Sequence, residues 1–124
     1  MAAPNLIGAT TIYGRTAGNN ISTTSATMVL NNLANSGKCL KINTLNVTNY
    51  SNAVASITIN FYPATSNVTG TALPIVSGAA VPAFSTLNVI DKTSQYYLEE
   101  NESIGATASS ANIFAVTVSF EEIA

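Results

Sequence analysis

Apolar residues recur at every second position along much of this chain. Between residues 55 and 61 they occupy the odd-numbered positions, while Ser56, Thr58 and Asn60 occupy the even ones. Successive side chains of a β-strand point to opposite faces of its sheet, so this spacing indicates a strand with one buried face. The same alternation returns over residues 86–89, 104–108 and 114–120. The chain is therefore predicted to fold from β-strands.

In one segment the alternation changes phase. Leu40 and Ile42 share one parity, whereas Leu45 and Val47 share the other. One extra residue in a strand turns every later side chain to the opposite face, and a β-bulge inserts such a residue. We therefore predict a β-bulge, or a crossing of the strand between two sheets, near Asn43 and Thr44.

Turn-forming residues separate the alternating segments, and no segment combines helical spacing of apolar residues with capping residues. We expect seven or eight strands, near residues 6–15, 21–30, 38–48, 53–62, 71–76, 84–91, 95–98 with 103–108, and 113–123. Short strands at regular spacing predict one antiparallel β-sandwich over residues 1–124, immunoglobulin-like or jelly-roll-like. Its predicted core contains Ile57, Ile59, Phe61, Leu87, Val89, Val116, Val118 and Phe120.

Composition argues against several classes of function. The chain has no His and a single cysteine, Cys39, so it cannot supply a Ser-His-Asp or Cys-His catalytic site, a Cys/His zinc site or an internal disulfide. Only 8% of its residues are charged, and its four cations form no cluster for nucleic acid. Its glycines form no phosphate-binding loop, and no targeting or membrane-spanning segment is recognisable. We expect no catalytic residues, no cofactor, no enzymatic activity, and no nucleic-acid or membrane partner.

The acidic residues and the cysteine could each carry chemistry. Glu99, Glu100 and Glu102 surround Asn101, but a calcium loop alternates Asp and Asn around a Gly, which this segment lacks. A carboxylate pair for glycoside hydrolysis would lie in this turn or at the end of the sequence with Glu121 and Glu122, in both cases without an aromatic cleft. We interpret these acids as a solvated corner and expect no metal site. Cys39 is either a thiol activated by nearby lysines or, more commonly for such a residue, a small buried hydrophobe.

The first residues do not alternate cleanly. Leu6 and Ile7 are adjacent, Gly8 follows them, and the segment is nearly free of charge. A strand that only covered its own core would keep one parity. We expect residues 1–15 to form an arm that reaches a neighbouring protein by strand addition or by docking in a groove; an ordinary edge strand is the alternative. The predicted interface residues are Leu6, Ile7, Tyr13 and Arg15.

The surface is expected to be rich in small neutral polar groups. Asn, Ser and Thr together make up 44 of the 124 residues, and the net charge is −2. Such a surface can pack against copies of itself with little self-repulsion, and its association depends weakly on ionic strength. This composition suits a protein present at high copy number in an assembly.

Several segments, taken together, are similar to one group of proteins. They are NLIG at residues 5–8, IYGRT at 12–16, SGK at 36–38, KINTL at 41–45, VIDK at 89–92, YLEENESI at 97–104, ATASSA at 106–111 and SFEEI at 119–123. The chain resembles the small all-β virion structural proteins of marine tailed phages, including cyanophages. The resemblance spans nearly the whole chain and is weakest over residues 63–82.

This resemblance implies a structural component of a virus particle that is assembled in the host cytoplasm. Its implied partners are the major capsid protein or other virion proteins, together with copies of itself in a homo-oligomer or lattice. A small sandwich of this kind most often decorates or cements the capsid by binding across capsid subunits. One alternative is a neck, tail or fibre-associated protein with a receptor- or glycan-binding role. Another is a hydrolase or lectin-like domain that acts on cell-surface glycan.

Overall fold

The fold consists of two antiparallel β-sheets packed face to face. The computed structural model describes residues 7–124, and these residues contain nine strands and no helix. The strands are β1 (Ile12–Ile21), β2 (Thr27–Asn32), β3 (Cys39–Asn49), β4 (Ala55–Tyr62), β5 (Leu73–Val81), β6 (Thr86–Ile90), β7 (Tyr96–Leu98), β8 (Glu102–Ala108) and β9 (Phe114–Ile123). Sheet A has the order β1-β9-β3-β6, with β7 also paired to β3, and sheet B has the order β2-β8-β4-β5. The prediction of an all-β sandwich is confirmed.

Strand pairing identifies the type of sandwich. β1 pairs with β9, β2 with β8, β3 with both β6 and β7, and β4 with β5. The chain therefore forms one long hairpin of paired strands that wraps into two sheets, which is the arrangement of a jelly roll. β6 and β7 lie along successive parts of β3 and act as one strand interrupted by residues 91–95. Of the two sandwich types left open by the sequence, the structure has the jelly roll.

The two ends of the sandwich differ in charge. Four loops that meet at one end contain no charged residue: 22–26, 50–54, 82–85 and 109–113. We call this the uncharged end. The start of β1 and the end of β9 lie at the opposite end, which we call the charged end. It holds eight of the ten charged residues: Arg15, Lys38, Lys41, Glu99, Glu100, Glu102, Glu121 and Glu122.

The edge strands are where the predicted boundaries are wrong. β1 covers Ile12–Ile21 rather than residues 6–15, β2 begins at Thr27, and β5 continues to Val81. All three lie at sheet edges, where few side chains must be apolar, so their alternation is weak. The strand count is nine rather than seven or eight, because the segment predicted as 95–98 with 103–108 forms two strands in different sheets.

The predicted β-bulge is present in β3. The register of β3 against β9 shifts between Ile42 and Thr44, so Asn43 is the extra residue. Asn43 donates from Nδ2 to Glu121 Oε1 at 3.2 Å, and its Oδ1 accepts from Gln95 Nε2 at 3.3 Å. The apolar residues on both sides of the bulge are buried despite their opposite parity, which is the outcome that the phase change predicts.

The core lies between the two sheets and contains most of the predicted residues. Ile57, Ile59, Val116, Val118 and Phe120 are buried. The other three predicted core residues, Phe61, Leu87 and Val89, are half-buried and pack against this core. Leu87 and Val89 lie on β6, which is an edge strand and therefore covers its inner face incompletely. Phe114 begins the alternating segment 114–120 but was not in the predicted core list, and it is fully buried.

The loop over residues 63–72 packs against the outer face of sheet B. Ser103 donates from Oγ to Thr65 O at 2.9 Å and accepts from the backbone amide of Val68 at 3.3 Å. A Cβ atom added to Gly105 would lie 2.8 Å from the Val68 side chain and 3.2 Å from Tyr62. Glycine at position 105 therefore permits the close approach of this loop, which buries Tyr62.

Replacing Phe114 should test the assignment of the core. We expect Phe114→Ala to lower the free energy of unfolding by ~3–5 kcal/mol, because a cavity remains where the ring was. Phe84→Ala is the matched control, since the Phe84 side chain is 72% exposed. Denaturant titration measures both variants, and equal losses of stability would contradict the assignment.

Candidate interaction site

The inner face of β1 is covered over only part of its length. Ile21, at the uncharged end, is fully buried, whereas Arg15 and Tyr13 lie on the same face of the strand and are exposed. Asn19 donates from Nδ2 to Met28 O at 2.8 Å and so joins β1 to β2 near the uncharged end. Toward the charged end this connection is lost, and the seam between the two sheets opens into a groove.

This corner groove has an apolar floor. Leu30 of β2, Leu40 of β3 and Phe120 of β9 line it and are each at least 93% buried, while Leu33 on its rim is 61% exposed. The volume of the groove is about 280 Å³. A cavity of ~150 Å³ lined by apolar side chains holds a benzene molecule, so the groove has room for one aromatic ring.

Paired charges border the groove. Glu122 follows the inward-facing residues of β9, and its carboxylate lies 2.9 Å from Arg15 Nε and 2.8 Å from Lys38 Nζ. The Arg15 guanidinium also lies 5.9 Å from the centre of the Tyr13 ring, within the range of a cation–π contact. The hydrogen bond from Lys38 lowers the pKa of Glu122; burial opposes this effect, and the charge of Arg15 reinforces it.

A buried asparagine holds the loop on the other side of the groove. Asn32 donates from Nδ2 to Lys38 O at 2.8 Å and to Leu98 O at 3.1 Å. Its Oδ1 accepts from Ser36 Oγ at 2.5 Å. Gly37, in the same loop, donates its backbone amide to Glu100 Oε2 at 2.9 Å. These bonds fix residues 33–38, which carry Leu33 and Lys38 to the rim of the groove.

The structure places two of the four predicted interface residues, Tyr13 and Arg15, near this corner. Tyr13 and Arg15 lie on the inner face of β1 beside the groove, and Ile7 precedes β1 with its side chain 98% exposed. Leu6 lies outside the described residues. Lys38, Glu122 and Leu33 were not among the predicted interface residues. Glu122 continues the inward parity of β9, and that signal could have separated it from Glu121, which has the outward parity.

The other candidate residues have structural partners. In the acidic corner, Glu99 donates its backbone amide to Glu102 Oε1 at 2.7 Å. Within residues 7–124, no group of three His, Cys, Asp or Glu side chains is placed to hold a metal ion. Cys39 is buried, and this burial, reinforced by Glu99 and Glu102, raises the pKa of its thiol. Activation of Cys39 by nearby lysines is therefore not what the structure shows.

Comparison with known proteins adds information about the fold. No family model and no curated protein matches the chain. A chain of the Bacillus endospore appendages, described as a novel family of disulfide-linked pili, is 13% identical with a TM-score of 0.54, and the match covers 99% of this chain and 96% of that one. A chain of the cyanophage Pam1 capsid asymmetric unit is 15% identical with a TM-score of 0.36, covering 99% and 91%. The first likeness is one of fold over nearly the whole of both chains, whereas the second is too weak to define a common fold.

In the described part of the chain, no helix is long and apolar enough to cross a membrane.

The ion pairs of Glu122 should make stability depend on pH. A carboxylate whose pKa is lowered by folding stabilises the protein above the pKa of the unfolded chain, ~4.3 for Glu, and this contribution is lost as the pH falls through the folded value. We expect Glu122→Gln to lower the free energy of unfolding by less than about 1 kcal/mol at neutral pH, because both cations are partly exposed. The difference from the wild type should shrink as the pH falls below the usual range of a glutamate.

Glu121→Gln is the matched control for this measurement. Glu121 is the neighbouring glutamate and makes no ion pair among the described residues. Thermal unfolding at several pH values compares the three proteins. An effect of Glu122→Gln that does not change between neutral and acidic pH would refute the assigned role of the ion pairs.

Proposed function

We propose that this protein is a non-enzymatic structural subunit of a phage virion, and that it decorates the capsid by binding across capsid subunits. The observation that carries the proposal is the exposed start of β1. Its first five residues are exposed on both faces of the strand, including Ile12 at 62% and Tyr13 at 55%. A strand that served only its own sandwich would bury one of these faces.

The free edge of β1 supports an interface at this position. Within the described chain, β1 pairs with β9 on one side only and is the first strand of sheet A. An edge strand presents unpaired amide and carbonyl groups that can accept a further strand. Leu6, Ile7, Tyr13 and Arg15 are the interface residues of this proposal, and residues 1–15 are the arm that carries them.

The sequence resemblance supports a virion protein as the partner at this interface. Similarity to small virion proteins of marine tailed phages covers segments at both ends of the chain, including residues 12–16 and 119–123, which pair in β1 and β9. A ligand of the assembled capsid stabilises it by mass action, about 2.7 kcal/mol per site at a hundredfold excess over Kd. This mechanism needs no cofactor and no chemical step.

Copy number in purified particles tests the proposal. Quantitative mass spectrometry of virions would measure the ratio of this chain to the major capsid protein. A ratio that corresponds to hundreds of copies is expected for capsid decoration. A dozen copies or fewer would instead support the neck, tail or fibre-associated alternative, and absence from the particle would overturn the proposal.

Substitution of Tyr13 tests the interface. We expect Tyr13→Ser to weaken binding to capsids by about tenfold or more, because aromatic anchors dominate protein interfaces. Tyr97→Ser on β7 is the matched control, since that side chain is 43% exposed in the same sheet. Co-sedimentation with capsids that lack the protein measures both variants. Equal binding by the two variants would show that the start of β1 is not the contact surface.

A further inference from the structure

We propose that the partner of the corner groove is a second copy of this chain, and that Phe84 at the uncharged end of that copy inserts into the groove. This inference rests on the proposed function, because it names a partner within the assembly. Three features carry it: the backbone conformation at Phe84, the position and size of the groove, and the distribution of charge between the two ends.

Phe84 is exposed in an unfavourable backbone conformation. Its side chain is 72% exposed, and its φ angle is +55°. A left-handed φ is rare for bulky residues, and such outliers concentrate at binding sites. The turn is fixed on both sides of the ring, since the Phe84 amide donates to Ser51 O at 3.2 Å and the amide of Asn49 donates to Ser85 O at 2.9 Å. The chain thus holds a large apolar ring in solvent where Asn or Gly would be less strained.

Other left-handed residues of the described chain have evident reasons for their conformation. Asn35, Asn101 and Asn112 are of the residue type that tolerates it best apart from glycine. Val68 is also left-handed, but its side chain packs against Gly105 within the same molecule. Phe84 has neither reason, because it is not an asparagine and its side chain is 72% exposed rather than packed within its own molecule. A contact with another molecule would explain why Phe84 keeps this left-handed conformation.

The loop that accepts the hydrogen bond of the Phe84 amide carries further exposed apolar side chains. Val54 in this loop is 66% exposed and Tyr50 is 46% exposed. The four loops of this end contain no charge that would have to be desolvated on association. Association through this end would therefore bury apolar side chains without burying a charge.

Phe84 and the corner groove lie at opposite ends of the molecule. Ser85 bonds to Asn49 at the end of β3, whereas the groove is lined by Leu40 near the start of β3, about 30 Å away along the strand. One molecule therefore cannot insert its own Phe84 into its own groove. The groove volume of about 280 Å³ accommodates the ring of another copy.

Electrostatics also favour this pairing of ends. Arg15 and Lys38 border the groove, and cations bind to the face of an aromatic ring. Contact between two charged ends would bring like charges together, because the eight charged residues there comprise five acids and three cations. Contact between an uncharged end and a charged end avoids this repulsion. Such a head-to-tail contact is heterologous, so it produces rings or open chains of subunits rather than closed dimers.

The test begins with the full-length wild type in sedimentation velocity from ~1 µM to ~1 mM, the range of weak specific association. The proposal predicts oligomers whose mean size grows with concentration. Phe84→Asn should weaken this association by about 30-fold or more, the effect of removing a hot-spot aromatic side chain. Its melting temperature should equal or exceed that of the wild type, because Asn tolerates the left-handed conformation. Loss of association can then be separated from loss of folding.

A second variant tests the groove. Leu33→Asp changes an exposed residue on the groove rim, and Leu73→Asp is its matched control because Leu73 is 48% exposed on β5. Leu33→Asp should be monomeric, and Leu73→Asp should associate like the wild type. A mixture of Phe84→Asn and Leu33→Asp should form a heterodimer, since one variant keeps an intact groove and the other keeps Phe84. Native mass spectrometry would detect this 1:1 species.

Three results would overturn the proposal: a monomeric wild type over the whole range, unchanged association of Phe84→Asn, or dimers of Leu33→Asp that depend on Phe84. The last result would indicate a twofold contact between uncharged ends. Capsid binding separates this inference from the proposed function. Capsid binding without self-association would refute only the head-to-tail contact, whereas self-association of a protein absent from particles would refute only the virion role.

Discussion

Sheet A depends on β9, because this strand lies between β1 and β3 and supplies the backbone partners of both. Its alternation also links the core to the corner groove. Phe114, Val116, Val118 and Phe120 face inward and are buried, and the next residue of the same parity is Glu122. The periodicity that builds the core thus also directs a carboxylate into the seam of the sandwich, where Arg15 and Lys38 neutralise it.

Buried asparagines explain how a chain with so few charges holds its loops. Asn49 at the uncharged end donates to Ala53 O at 2.8 Å and to Val81 O at 3.0 Å, and its Oδ1 accepts from Ser51. Asn32 makes the same type of contacts at the charged end, with two carbonyl acceptors and one serine donor. A neutral amide satisfies several backbone groups without the desolvation cost of a buried charge. The high Asn and Ser content therefore has a structural function as well as a role on the surface.

Much of the fold could be predicted from the sequence, and the errors share one cause. Four strands, β3, β4, β8 and β9, are paired with a neighbouring strand on both sides, and their sequences alternate strongly because their inner face must be apolar. Even the β-bulge at Asn43 is visible in the sequence as a change in the phase of this alternation. β1, β2 and β5 lie at the edges, so their side chains are less constrained and their boundaries were misplaced. The jelly-roll pairing could not be chosen either, since strand order depends on contacts between distant segments.

The corner groove is hard to predict from the sequence for the same reason. Its residues come from β2, the loop that follows it, β3 and β9, and no local pattern brings Leu30, Lys38 and Glu122 together. Only the segment before β1 gave a local signal, because Leu6 and Ile7 are adjacent and break the parity that an internal strand would keep. The charge difference between the two ends has the same origin. Charged residues are scattered along the sequence, and the antiparallel arrangement of the strands places eight of the ten at one end of the sandwich. Surface properties that depend on which loops share an end become visible only when the strand order is known.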